Sequence, residues 1–112
     1  MKIDTETKPN GILIIKLNGR MHLKDLHNIE TTFKQLIRGQ HAVVVDLHGL
    51  EALFSMGLRA LILCAQSLHL RGGKLVLMSP TRNVDAVLKA SGASELMPIC
   101  KNWEEAEAIV AT

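Results

Sequence analysis

Aromatic residues are scarce in this chain, which has one Trp, two Phe and no Tyr among its 112 residues. The interior must therefore be built mainly from aliphatic side chains, and these are plentiful because 47% of the residues are hydrophobic. Leu, Ile, Val, Ala and Met suit the layers between helices and a sheet, so the composition favours an α/β fold. Charged residues make up 21% of the chain, which argues against a disordered tail.

Several protein classes are excluded by features that the chain lacks. No segment approaches the roughly 18 consecutive apolar residues of a membrane span. The first residues contain acids and no apolar run, so they do not resemble a signal or transit peptide. The net charge of +2 is too small for a clustered basic face that would bind nucleic acid. We expect a cytoplasmic protein that neither enters a membrane nor binds nucleic acid.

Metal and disulfide chemistry are also poorly represented. Cys64 and Cys100 lie in or beside apolar runs, which predicts two buried free thiols in a reducing compartment. The histidines are scattered and show no metal-ligand spacing with the cysteines; they are His22, His27, His41, His48 and His69. We therefore expect no metal and no cofactor.

The apolar patterns predict a single domain over residues 1–112 with the element order β-β-α-β-α-β-α-β-α. The sheet should be mostly parallel, with an N-terminal antiparallel hairpin and about four helices. The predicted strands are 2–7, 12–17, 42–47, 74–78 and 96–100. The helical stripes fall within 26–37, 58–68, 84–88 and 103–110.

Two helix starts carry capping residues in the sequence. Pro80 is expected in the first turn of the third helix, with Ser79 or Thr81 as its cap and Val87 on its inner face. Asn102 is expected to cap the last helix. These residues place the helix starts at the ends of the preceding strands.

Ligands and partners of parallel sheets meet the loops after the carboxyl ends of the strands, here 18–24 and 48–56. Ser55 stands out because it directly precedes a helical pattern. One interpretation is that Ser55 only caps this helix. The other is that a phosphate on Ser55 resets a docking surface, because a helix N-terminus favours anions. Gly57 would either admit a phosphate or allow close helix packing.

An enzyme is not predicted. His48 lies in a loop and Asp46 ends a strand, so neither forms a credible catalytic triad with Ser55. The Gly72-Gly73 pair precedes a strand and does not open a helix, so it lacks the order of a phosphate-binding loop.

The stretch from Val43 to Leu58, VVVDLHGLEALFSMGL, resembles the signature of STAS domains, the anti-sigma-factor antagonist family. Further similar segments follow the family's order across nearly the whole chain: LNGRM at 17–21, GGKLVL at 72–77 and VLKASG at 87–92. The resemblance implies a STAS-like fold. It also implies that Ser55 matches the serine that a partner kinase, itself an anti-sigma factor, phosphorylates, and that Gly57 matches the family's glycine. A PP2C-type phosphatase would reset such a switch.

The chain departs from the family pattern around that serine. Phe54 stands where the family usually has Asp, and Met56 where it has Ser or Thr; His22 and Arg20 replace positions that are often acidic. The expected docking patch is therefore apolar and somewhat basic, and exposed apolar patches usually mark partner sites. The predicted partner-binding residues are Met21, His22, Phe54, Ser55, Met56 and Gly57.

Two other functions remain open from the sequence. The chain could be a non-switching STAS adaptor that docks on the ATPase subunit of a phospholipid-trafficking ABC transporter. It could also be a STAS module that senses a small molecule or nucleotide within a larger assembly.

Overall fold

The computed structural model describes residues 1–111 and shows five strands and four α-helices. The strands are β1 (Lys2–Thr7), β2 (Leu13–Gly19), β3 (Ala42–Leu50), β4 (Lys74–Met78) and β5 (Ile99–Cys100). The helices are α1 (Leu23–Leu36), α2 (Ser55–Leu70), α3 (Arg82–Ala90) and α4 (Trp103–Val110), with a 3₁₀ turn at Ala93–Glu95. This is the predicted element order.

The five strands form one sheet in the order β1-β2-β3-β4-β5. β1 runs antiparallel to β2, and every later neighbouring pair is parallel. The carboxyl ends of β2, β3 and β4 therefore meet at one edge, where α1, α2 and α3 also begin. The predicted hairpin and the mostly parallel sheet are confirmed.

Both faces of the sheet are covered, which explains the unbroken apolar run in β3. Val43 and Val45 point into a large core that also takes in α1, α2 and α3. Val44 points the other way, into a smaller core closed by Ala106 and Val110 of α4. Because side chains alternate along a strand, a strand covered on both faces must be apolar at successive positions.

Two strands run further than the sequence pattern indicated. β2 continues through Asn18 and Gly19, and β3 continues to Leu50, because these ends pair with each other. Asn18 lies opposite Gly49, and Gly19 lies opposite Leu50, after a register shift beyond Lys16. The ladder supplies the backbone hydrogen bonds that outweigh the local turn preference of Asn-Gly.

The region around α3 corrects three expectations. Thr81 is the N-cap and accepts a hydrogen bond from the Val84 backbone N–H at 3.4 Å, so Pro80 lies outside the helix. Val87 is 37% exposed and does not belong to the inner face. The last strand is only two residues long, since 93–95 forms a 3₁₀ turn before it. The cap of α4 by Asn102 is confirmed, with its Oδ1 accepting from the Glu105 N–H at 2.9 Å.

Candidate functional site

The two loops singled out in the sequence lie side by side at the carboxyl edge of the sheet. The Glu51 backbone N–H donates to the Gly19 carbonyl at 3.0 Å, which joins the end of β3 to the end of β2. The Thr81 hydroxyl, at the start of α3, lies 3.5 Å from the Leu50 carbonyl. The starts of α1, α2 and α3 are thereby held around one surface.

Ser55 is not the cap of α2, which corrects the first interpretation of this residue. Phe54 has the extended backbone of an N-cap, with φ −104° and ψ 165°, and makes no side-chain capping bond. Its carbonyl accepts the Leu58 N–H at 2.9 Å, so the helix begins at Ser55. Ser55 is exposed, and within residues 1–111 its hydroxyl has no hydrogen-bond partner. The hydroxyl is therefore available to a protein that approaches this edge.

Apolar side chains flank Ser55 on both sides and are open to solvent. Phe54 is 42% exposed and Met56 is 49% exposed. Leu23, the first residue of α1, is 86% exposed and was not singled out in the sequence. Its place outside the buried stripe formed by Ile29 and Phe33 is the signal that could have identified it.

Met21 does not belong to the exposed patch, which is a second correction. It is 3% exposed and lies in the main core. A Cβ placed on Gly57 would lie 2.7 Å from the Met21 Sδ and 3.3 Å from a Leu53 methyl carbon. Gly57 is buried, so its missing side chain makes room for Met21 beneath α2. The close-packing interpretation of Gly57 is thereby supported.

His22 is the N-cap residue of α1 and is exposed at the same edge. Its backbone N–H donates to Asp25 Oδ2 at 2.8 Å, and the Met1 amino group lies 3.2 Å from the same oxygen. The hydrogen bond from His22, followed by the Met1 amino group, lowers the pKa of Asp25 below its ordinary value. Asp25 is therefore held as a charged carboxylate, and in that form it accepts the His22 N–H at the start of α1.

Charged groups of both signs surround this edge, and the acids are Asp25, Glu30 and Glu51. Arg20, Lys24 and Arg82 are exposed, and no ion pair joins them to an acid within the described chain. Arg59, in the first turns of α2, does have a partner: its Nε lies 2.9 Å from Glu30 Oε1 on α1. Of the apolar residues expected in the patch, Phe54 and Met56 are thus exposed beside charged groups, whereas Met21 is not.

Asp46 and His48, the residues considered as triad partners of Ser55, meet through the backbone of His48. Asp46 Oδ1 accepts the backbone N–H of His48 at 3.0 Å, so this contact does not orient an imidazole toward the serine. Over residues 1–111 no three His, Cys, Asp or Glu side chains are placed to hold a metal ion.

Both cysteines are buried and free, as expected. Burial raises the pKa of the Cys64 thiol to about 11, and burial followed by the charge of Glu105 raises that of Cys100. Both thiols are held neutral, the unreactive form. In the part of the chain that the structure describes, no helix is both long and apolar enough to cross a membrane.

Comparisons with known proteins agree on one family. The model of the STAS domain matches residues 2–106. BtrV of Bordetella bronchiseptica, a candidate anti-sigma factor antagonist, is 32% identical over 109 residues, which cover 96% of this chain and 94% of that protein.

Solved structures share the fold. An anti-sigma factor antagonist from Mycobacterium paratuberculosis superposes with a TM-score of 0.87 at 17% identity, covering 99% of this chain and 94% of that one. The phosphorylated form of the Bacillus cell fate determinant SpoIIAA superposes with a TM-score of 0.74 at 19% identity, covering 97% and 99%.

Proposed function

This chain belongs to the STAS domain family, and from that premise we propose that it is a cytoplasmic partner-switching regulator of the anti-sigma-factor antagonist type. It docks a serine kinase that is also an anti-sigma factor, through the start of α2, and performs no catalytic step itself. Phosphorylation of Ser55 by that kinase weakens the complex, and a PP2C-type phosphatase restores it. The similarity to BtrV supports the choice of this class within the family.

The observation that carries the proposal is the free hydroxyl of Ser55 at the start of α2. Because Phe54 occupies the N-cap position, the Ser55 hydroxyl is exposed and is not engaged in holding the helix. A phosphate there would add about −1.5 to −2 charges at neutral pH. The positive end of the helix dipole would favour that charge, so the phosphate can be added without unfolding α2.

The docking patch, defined here as Leu23, Phe54, Ser55 and Met56, would give the complex its affinity. Three of its four residues are apolar and at least 42% exposed, with His22 beside them. Burial of such side chains at a partner surface is favourable, and a phosphate in the middle of the patch would have to be desolvated. That cost is what converts phosphorylation into release.

The direct test is phosphorylation with an anti-sigma-type serine kinase from the same organism, followed by mass spectrometry. We expect one phosphate, on Ser55, and none on Ser55→Ala; Ser94→Ala, which removes an exposed serine elsewhere, should behave as wild type. Binding measured by calorimetry should weaken by about tenfold or more once the phosphate is present. Phosphate on another residue, or no complex with the kinase, would contradict the proposal.

A second candidate is a non-switching adaptor that docks on the ATPase subunit of a phospholipid-trafficking ABC transporter. The exposure of Phe54 and Met56 favours it, because these residues replace the polar neighbours of the family's usual phosphosite. For an adaptor, Phe54→Asp should abolish pull-down of the ATPase while Ser55→Ala leaves it intact. Loss of binding in Ser55→Ala alone would count against this candidate.

A further inference from the structure

Ser55 and Arg59 lie one helical turn apart on α2. Ser55 is the first residue of the helix and Arg59 is four residues later, so their side chains share one face. Helical side chains lean toward the N-terminus of their helix, which directs the Arg59 side chain back toward Ser55. The guanidinium can therefore reach a group attached to the Ser55 oxygen.

In the unmodified protein Arg59 is engaged elsewhere, in a contact that is easily given up. Its Nε lies 2.9 Å from Glu30 Oε1 on α1, and the two side chains are 71% and 46% exposed. Ion pairs between exposed side chains contribute little to stability, because water and salt screen them. Exchange of Glu30 for a stronger anion would therefore cost the fold little.

We infer that Arg59 is the cation that receives the phosphate on Ser55, and that it leaves Glu30 when the serine becomes phosphorylated. The inference rests on the proposed modification of Ser55. A phosphate carries more negative charge than the Glu30 carboxylate and offers three strong acceptor oxygens to the guanidinium. It also lies at the positive end of α2, where an anion is favoured.

The neighbours of Ser55 in the sequence carry no charge that would repel a phosphate on this serine. Phe54 and Met56 are uncharged, so neither neighbour disfavours the phosphate or attracts Arg59 away from it. Other charged groups at this edge belong to other elements and loops: Arg20, His22, Lys24, Asp25, Glu30, Glu51 and Arg82. Arg59 is set apart from these groups by its place on the same helix face as Ser55.

The exchange would make phosphorylation act on two helices at once. The phosphate would gain a partner within α2, while the one ion pair recorded between α1 and α2 in residues 1–111 would be lost. The partner would then meet a surface with a neutralised Arg59 and a free Glu30 carboxylate. Phosphorylation would thus alter the charge of the surface beyond the serine itself.

The test uses the full chain with phosphoserine installed at position 55 during synthesis, followed by phosphorus NMR titration. An adjacent cation favours the doubly charged phosphate, whose ordinary second pKa is about 6. We expect the titration midpoint of the otherwise wild-type phosphoprotein to lie roughly 0.3 pH unit below that of its Arg59→Gln form. The Arg59 Nε–H resonance should also move between the unmodified protein and the phosphoprotein.

Matched variants decide whether Arg59 is the specific partner. Arg82→Gln and Arg20→Gln remove exposed arginines at the same edge and should leave the midpoint within about 0.1 pH unit of wild type. Glu30→Gln removes the competing carboxylate and should lower the midpoint further. An unchanged midpoint in Arg59→Gln, or a larger change in Arg20→Gln than in Arg59→Gln, would overturn the inference.

This experiment fails independently of the proposed function. The phosphate is supplied by synthesis, so the phosphorus titration does not depend on any kinase. If Arg59 is the partner but no kinase modifies Ser55, the ion-pair exchange stands and the proposed function falls. If a kinase modifies Ser55 but Arg59→Gln leaves the titration midpoint unchanged, the proposed function stands and the ion-pair exchange falls.

Discussion

At the scale of single residues, the contact between Gly57 and Met21 determines how closely α2 approaches the segment after β2. Met21 is almost fully buried in the main core, so moving the flexible Sδ–Cε end of its side chain away from the helix would displace other core side chains. The space beside Gly57 is correspondingly small, since a Cβ there would lie 2.7 Å from Met21 Sδ. The docking residue Ser55 is two positions earlier on the same helix, so this contact also positions the candidate site.

Gly57→Ala should therefore destabilise the protein, although alanine is the better helix former. Overpacking of a core costs about 1–3 kcal/mol, whereas replacing a helical glycine by alanine gains at most about 1 kcal/mol. We expect a net loss of about 1 kcal/mol in the free energy of urea unfolding.

A double-mutant cycle separates packing from other causes. In the Met21→Ala background the thioether is gone, so Gly57→Ala should become neutral or stabilising even though Met21→Ala alone is destabilising. Equal effects of Gly57→Ala in both backgrounds would contradict the assigned contact.

At the scale of elements, α2 and α4 begin in different ways. α4 has a side-chain cap, because Asn102 Oδ1 accepts the Glu105 N–H at 2.9 Å. α2 has none and is held instead by its buried face, which includes Ala60, Leu61 and Leu68. A long helix with such a face obtains most of its stability from packing, so it tolerates a poor cap.

Replacement by alanine should therefore change the free energy of unfolding more at Asn102 than at Ser55. Asn102→Ala removes a capping bond and should lower the free energy of unfolding by about 1 kcal/mol. Ser55→Ala removes an exposed hydroxyl with no partner in the described chain, and its effect should stay within about 0.5 kcal/mol. Urea unfolding of both variants checks this, and a loss at Ser55 as large as at Asn102 would mean that Ser55 caps α2 after all.

Local patterns predicted some elements well and others poorly for identifiable reasons. The range of α4 and its Asn102 cap agree with the structure because cap and helix are adjacent in sequence. The extension of β3 through His48 and Gly49 was missed because it depends on pairing with the distant end of β2. The burial of Met21 was missed likewise, since it depends on contact with Gly57 in the distant helix α2.

At the scale of the whole molecule, the two cores on opposite faces of the sheet were predictable, and the exact docking surface was not. The apolar run at Val43 to Val45 indicated a strand covered on both sides, which the structure confirms. Which apolar residues remain outside was decided by loop geometry: Leu23 is exposed and Met21, two residues earlier, is buried. The helical period places Leu23 outside the buried stripe of α1, but no period in the sequence shows that Met21, which precedes the helix, is buried.

Distant parts of this molecule are linked by charge pairs in addition to the packed cores. Asp25 joins the Met1 amino group to the start of α1. The Glu6 carboxylate on β1 lies 3.1 Å from the Nζ of Lys8, which follows β1, and 3.3 Å from the Nζ of Lys16 on β2. The pKa of Glu6 is lowered mainly by Lys8 and next by Lys16. The pKa of Asp25 is lowered mainly by the hydrogen bond from the His22 N–H and next by the Met1 amino group. Both carboxyl groups are therefore held charged by contacts that the unfolded chain lacks.

The stability of the protein should consequently decline in acid. A carboxyl group whose pKa is lowered by folding contributes stability above its unfolded pKa, which is about 3.9 for Asp and 4.3 for Glu. That contribution is lost as the pH falls through the lower pKa of the folded state. We expect the urea midpoint to be constant from about pH 7 to 5 and to decrease at pH values below about 4.

Asp25→Asn should reduce this decrease, whereas Asp4→Asn, which removes only an exposed pair with Lys2 at 3.8 Å, should leave it nearly unchanged. An identical acid decline in Asp25→Asn and wild type would show that the Asp25 contacts do not link folding to pH.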